Sequence, residues 1–170
     1  GTHPIDFCLI LCYHTCMENQ TTQMTDVIVL QNLTVENYKQ FLDQTVVDKI
    51  NEYLEENFFI DDMIDFIDDY GTDAFLNHYN TYVELGENYS YGAVDAFIDE
   101  FGFELLSEDH FQNSYEGAYV SGAEFAEQHY ENMGYDPIPS WVTVDWEATW
   151  DRCLSYDCTF NNGYVFKSNW

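Results

Sequence analysis

Lysine and arginine are almost missing from this chain of 170 residues. Lys39, Lys49, Arg152 and Lys167 are the only ones, and residues 50–151 contain neither. Against these 4 bases stand 32 acids, for a formal charge of -28. A protein that binds nucleic acid directly needs a basic footprint to neutralise phosphates, and this chain has none. Docking on an anionic membrane is excluded for the same reason. Long apolar runs are also lacking. FCLILCY at 7–13 falls far short of the ~20 residues of a membrane span, and no basic segment precedes it as in a signal peptide. The expected setting is the cytoplasm.

Proline is scarce too, at 3 residues. Acidic disordered tails are rich in proline and poor in aromatics. Here 14 Tyr, 13 Phe and 4 Trp bring the aromatic share to 18% and the hydrophobic share to 46%, enough to bury a core. The charge therefore belongs on a folded surface. Even cysteine counts, the mark of secreted disulfide frameworks, are absent: Cys8, Cys12, Cys16, Cys153 and Cys158 make an odd set, read as reduced thiols. His3, Cys8, Cys12, His14 and Cys16 crowd the N-terminus but lack the paired short spacings of zinc sites. No metal or other cofactor is expected. Met17 and Met24 both offer natural starts, so residues 1–23 read as an N-terminal extension, non-native or disordered.

What is present is a recurring amphipathic template. DVIVLQNL at 26–33 suits a short strand. Thr34 and Thr45 are expected to cap two helices. In the second, Val46, Val47, Ile50, Tyr53 and Leu54 recur at helical spacing, opposite Asp48, Glu52, Glu55 and Glu56. In FFIDDMIDFIDDY (58–70), Ile60, Met63, Ile64, Ile67 and Tyr70 form one stripe. Asp61, Asp62, Asp65, Asp68 and Asp69 take the other side, and Gly71 ends the helix. GAVDAFIDEFG repeats the plan, with Asp95, Asp99 and Glu100 outward. Residues 72–85 are predicted helical, with GENYSYG (86–92) as a loop. Like charges at such spacings each cost roughly 0.2–0.5 kcal/mol. Their accumulation asks for a partner that repays it.

The C-terminal third is organised differently. AYVS (118–121) is expected to end a strand, and SGAE (121–124) is a capping box opening FAEQHYENM. Asp145 caps WEATWDRCL, whose apolar face is Trp146, Trp150, Cys153 and Leu154. Asn162-Gly163 between alternating apolar runs signals a hairpin. The predicted fold class is α+β. An elongated, mostly helical acidic domain at 24–106 precedes a small α+β domain at 107–170 that ends in a β-hairpin.

Within 111–167 four segments stand in order: Tyr115, Gly117 and Tyr119; Ser121, Phe125, Ala126 and Glu127; Trp141, Asp145 and Trp146; Gly163, Val165 and Phe166. This pattern resembles the final domain of the ArdA antirestriction proteins. The family's usual N-terminal β-rich domain is not recognisable in the first 33 residues. The resemblance implies a homodimeric, elongated DNA mimic in the bacterial host cytoplasm, carried by phages or mobile elements. Such a protein inhibits type I restriction-modification enzymes by occupying their DNA-binding groove. Charge spacing agrees with that idea. Asp61 to Asp69 places five carboxylates over roughly 12 Å of helix axis, and one DNA strand carries a phosphate about every 3.4 Å.

The expected partner surface comprises the acids of the three helices, Glu52, Glu55, Glu56, Asp61, Asp62, Asp65, Asp68, Asp69, Asp95, Asp99 and Glu100. Glu104, Glu108 and Asp109 continue it, as do Glu124, Glu127 and Glu131 further on. An acidic chaperone for basic proteins such as histone-like factors would use the same field and is the alternative. A halophilic surface is the third explanation of the acidity. No enzyme is expected, because His78, His110 and His129 sit in no catalytic motif. Asp68, Asp69 and Asp73 lack the ligand order of a calcium loop.

Overall fold

The computed structural model describes residues 33–170 and divides the chain into two compact units, 1–79 and 80–170. The reading of 1–23 as an extension, the N-terminal cysteine cluster and almost all of the strand expected at 26–33 lie outside the described residues. The architecture is α+β: helices throughout, with a three-stranded antiparallel sheet near the C-terminus.

In the first unit a short helix α1 (Tyr38–Phe41) precedes α2 (Gln44–Glu55) and α3 (Ile60–Tyr70). Neither threonine caps as expected. Asn37 ends a turn and its side chain accepts from the Thr34 amide at 2.7 Å, and α2 begins one residue before Thr45, after Asp43. What fixes the far end of α2 is a feature the sequence hides. Asn57 adopts a left-handed φ of 69°, the Phe58 amide donates back to the Tyr53 carbonyl at 3.0 Å, and the Asn57 amide donates to the Leu54 carbonyl at 3.2 Å. This is a Schellman motif with asparagine in the place glycine usually takes. Its apolar contact is the Tyr53–Phe58 ring pair, 4.9 Å between centroids. Tyr53 and Phe58 continue into a cluster with Phe66, Phe75 and Tyr79. Met63, Ile67 and Phe75 are fully buried, so the apolar stripe of α3 ends in an aromatic core.

Helix α4 (Thr72–Asn88) runs three residues beyond its expected end and absorbs the start of GENYSYG. Gly86 allows it, being buried where a Cβ would meet the Tyr91 ring. The division between units falls inside α4, whereas composition placed it at 106/107.

In the second unit α5 (Tyr91–Phe101) is capped by Ser90 and stopped at Gly102, φ 82°. A 3-10 turn (Phe103–Leu105) and α6 (Glu108–Ser114) follow, Ser107 capping α6. The sheet has strand order β1 (Tyr115–Ala118), β3 (Tyr164–Lys167), β2 (Cys158–Asn161). Strand β1 therefore starts three residues before the AYVS segment and is interrupted between Tyr115 and Gly117, with Gly117 at φ 127°. Phe97 of α5 packs on Phe111 and on Phe166 of β3, which is why residues 80–106 group with the sheet. The hairpin is as expected: Asn162 and Gly163 both have positive φ, 54° and 91°, the demand of a type I′ turn.

Helix α7 (Gly122–Asn132) opens on Ser121, whose hydroxyl accepts from the Glu124 amide at 3.1 Å. Glu124 reaches back to the Val120 amide at 2.6 Å, one residue earlier than the usual reciprocal bond. WEATWDRCL is two elements. α8 (Trp146–Thr149), capped by Asp145, passes into a wider π-helical turn (Trp150–Leu154), in which Cys153 is exposed. Trp150 lies directly on Gly122 and edge-on to Phe125, 5.9 Å away. A Cβ at position 122 would overlap that ring. Gly122→Ala is therefore expected to lower stability by about 1–3 kcal/mol, as overpacking does. Urea unfolding monitored by tryptophan fluorescence measures it, and an unchanged midpoint would contradict the packing described.

Candidate acidic interaction surface

Helix α3 is divided cleanly by its period. Met63, Ile64, Phe66 and Ile67 are buried, while Asp61, Asp62, Asp65, Asp68 and Asp69 are exposed. Asp61, Asp65 and Asp68 are separated by four and three residues, so they stand one above another on a single face. Among the described residues no hydrogen bond or ion pair engages these three or Asp62, and no cation approaches them. Asp61 and Asp62 occupy the first turn, where the helix dipole favours anions. Asp68 stands in the last turn, which holds no basic residue and where the dipole disfavours an anion. Asp68→Asn should therefore stabilise the protein by about 0.3–1 kcal/mol. A destabilised variant in chemical denaturation would show that the carboxylate has a structural role.

On α2, Glu52 and Glu55 are exposed, as is Glu56 at the cap. Only Glu52 is paired. It accepts from Lys49 at 3.0 Å and thereby raises the lysine's pKa above its ordinary value. The other ion pair among the described residues joins Lys167 to Glu116 at 3.1 Å. Lys39 lies 5.8 Å from the Tyr38 ring centre. The few cations thus leave most carboxylates alone.

The acids of the second unit separate into two kinds, a distinction that periodicity did not make. Asp95 is half-buried and accepts from the Tyr82 hydroxyl at 2.8 Å. Asp99 accepts from the Asn161 amide at 2.8 Å. Glu100 accepts from Asn161 at 3.1 Å and from the Thr159 hydroxyl at 3.0 Å. These last two fasten α5 to strand β2. Glu124 closes the cap of α7, and Glu108 holds Gln112 at 2.9 Å. Of the other acids expected on the surface, Glu104, Asp109, Glu127 and Glu131 are exposed and without a bond among the described residues. Helix α4 adds Asp73, Glu84 and Glu87 to the exposed set. The sequence reading omitted them because the apolar spacing there is less regular, although their outward positions follow the same period.

The histidines considered for catalysis are dispersed. His110 Nδ1 lies 3.0 Å from the Leu105 carbonyl and its ring stacks on Trp170, and His129 stacks on Phe125. Among the described residues no three His, Cys, Asp or Glu side chains gather as metal ligands. No described helix is long and apolar enough to cross a membrane.

Set against protein-family models, curated proteins and solved structures, the chain matches none. The resemblance to ArdA expected from the sequence rested on four segments within 111–167. Their residues serve as follows: Ser121 and Asp145 cap helices, Gly163 makes the turn, and Phe125, Ala126, Val165 and Phe166 are buried. They describe how this unit folds. Trp141, 85% exposed, and Glu127, exposed and without a bond among the described residues, are exceptions.

Proposed function

We propose that this protein is a DNA mimic that occupies the DNA-binding groove of a type I restriction-modification enzyme, or of a related DNA-handling defence enzyme. The observation that carries the reading is α3. Asp61, Asp62, Asp65 and Asp68 are exposed and free of cations, on a helix whose opposite face is anchored in an aromatic core. A helix so mounted cannot easily turn its charge away. Five carboxylates along about 12 Å of axis approach the phosphate density of one DNA strand, so a basic groove attracts them by the field that attracts its substrate. Occupying that groove is the whole mechanism; the protein acts as a homodimer in the host cytoplasm and performs no chemistry.

The test is competition. A purified type I enzyme is bound to labelled DNA, and the protein is titrated in at low and at high salt. Displacement at low salt that weakens as salt rises is expected, because exposed charges are screened beyond about 8 Å at 0.15 M ionic strength. No displacement at low salt, combined with tight binding to a histone-like protein, would replace the reading with that of an acidic chaperone.

A further inference from the structure

A groove of about 640 Å³ lies in the second unit between α7 and the segment leading to α8. Tyr130, Tyr135 and Trp146 line it, with Glu127 and Glu131 from α7. The rings form a continuous series: Tyr130 is 5.4 Å from Tyr135 and 5.7 Å from Trp146 between centroids. The series is held in place. The Tyr130 hydroxyl donates to the Asp136 carbonyl at 3.0 Å, Pro137 and Pro139 stiffen the wall, and the Val142 amide closes a turn onto the Pro139 carbonyl at 2.9 Å. Glu127 and Glu131 are four residues apart on one helix face. Both are exposed, and neither has a bond among the described residues. No lysine, arginine or histidine lines the groove.

Aromatic faces beside unpaired carboxylates, with no competing cation, are the chemistry that receives a guanidinium or ammonium group. The charge also decides between occupants. A nucleic acid would meet Glu127 and Glu131 with like charge. A second copy of this chain has only four bases to offer in its whole length. The geometry points to an arginine- or lysine-bearing extended segment of another protein, its cation resting on Tyr130, Tyr135 and Trp146 and facing Glu127 and Glu131. This deepens the proposed function, on which it rests for the identity of the basic partner. The acidic helices supply attraction at a distance, and the groove supplies a directional anchor that a bare polyanion lacks.

The experiment uses the full chain and a short blocked peptide with two arginines among glycines, beside the same peptide with citrulline in place of arginine. Binding is followed by NMR. Saturable shifts at Tyr130, Tyr135 and Trp146 are expected, with the citrulline peptide at least tenfold weaker. Tyr135→Ala, at a side chain 61% exposed and so tolerable to the fold, should weaken arginine binding about tenfold. Glu131→Gln should weaken it severalfold. Asp61→Lys with Asp65→Lys and Asp68→Lys should leave saturable shifts at Tyr130, Tyr135 and Trp146 in place. Shifts confined to the acidic helices, equal binding by Tyr135→Ala, or groove signals that move with protein concentration alone would each overturn the proposal, the last in favour of a second copy. No restriction enzyme is present in this assay. A groove that binds in a protein that fails to displace DNA refutes the mimic alone; DNA displacement without peptide binding refutes the groove alone.

Discussion

Replacing Phe97 with alanine should cost about 3–5 kcal/mol, the largest stability effect expected of a single substitution in this chain. Phe97 is fully buried in the second unit. Its ring lies 4.9 Å from Phe101, 5.6 Å from Phe111 and 5.8 Å from Phe166, and it is parallel to Trp170 at 6.4 Å. The cavity left by truncation would be lined by rings from two helices, a strand and the C-terminus, which collapse poorly onto one another. Since domains are held by only about 5–15 kcal/mol, a large share of the unit's stability is at stake. Hydrogen exchange at the amides of β3, with the urea midpoint, reports the loss where it occurs. A cost below about 1 kcal/mol would mean that the aromatic cluster is not the core described.

The second large effect tests the proposed function, and holds if the protein occupies a basic DNA-binding groove. Asp61→Lys, Asp65→Lys and Asp68→Lys together reverse one face of α3. Each reversal turns an attraction to a basic groove into repulsion, and like-charge juxtaposition costs several kcal/mol. At about 1.4 kcal/mol per factor of ten, the triple variant should displace DNA from the target enzyme at least a hundredfold less well. The fold should survive, because all three side chains are exposed and lysine is a better helix former than aspartate. Lysine at 61 worsens the interaction with the helix dipole while lysine at 68 improves it, and the two changes largely offset. Unchanged circular dichroism with lost inhibition is the expected pair of results. Inhibition at the parental level would show that α3 is not the contact surface.

How far the sequence could be read depended on how local the cause was. Helix α3 was largely legible, since Met63, Ile64, Ile67, the opposing aspartates and Gly71 all lie within a dozen residues, but its stripe omitted the buried Phe66 and included Ile60 and Tyr70, which are half-buried. The hairpin at Asn162-Gly163 was legible for the same reason: two φ values decide it. The end of α2 was not, because a Schellman motif built on Asn57 looks like an ordinary acidic stretch until Phe58 is seen against Tyr53. Strand β1 was displaced because its limits are set by pairing with β3, some fifty residues on. The π turn at 150–154 and the close approach of Trp150 to Gly122 needed the packed structure. For the candidate surface, period alone placed most carboxylates outward. Which of them are occupied within the fold depended on distant donors, Tyr82 for Asp95 and Asn161 and Thr159 for Asp99 and Glu100.

That use of neutral donors has a physiological consequence. An amide or hydroxyl bonded to a carboxylate works at contact range, and dissolved ions barely weaken it, whereas attraction between separated charges fades quickly in brine. Because α5 is fastened to β2 by Asn161 and Thr159, that seam should keep its form at ionic strengths that weaken the proposed association. Salt would then act as a dial on the encounter while that joint stays closed.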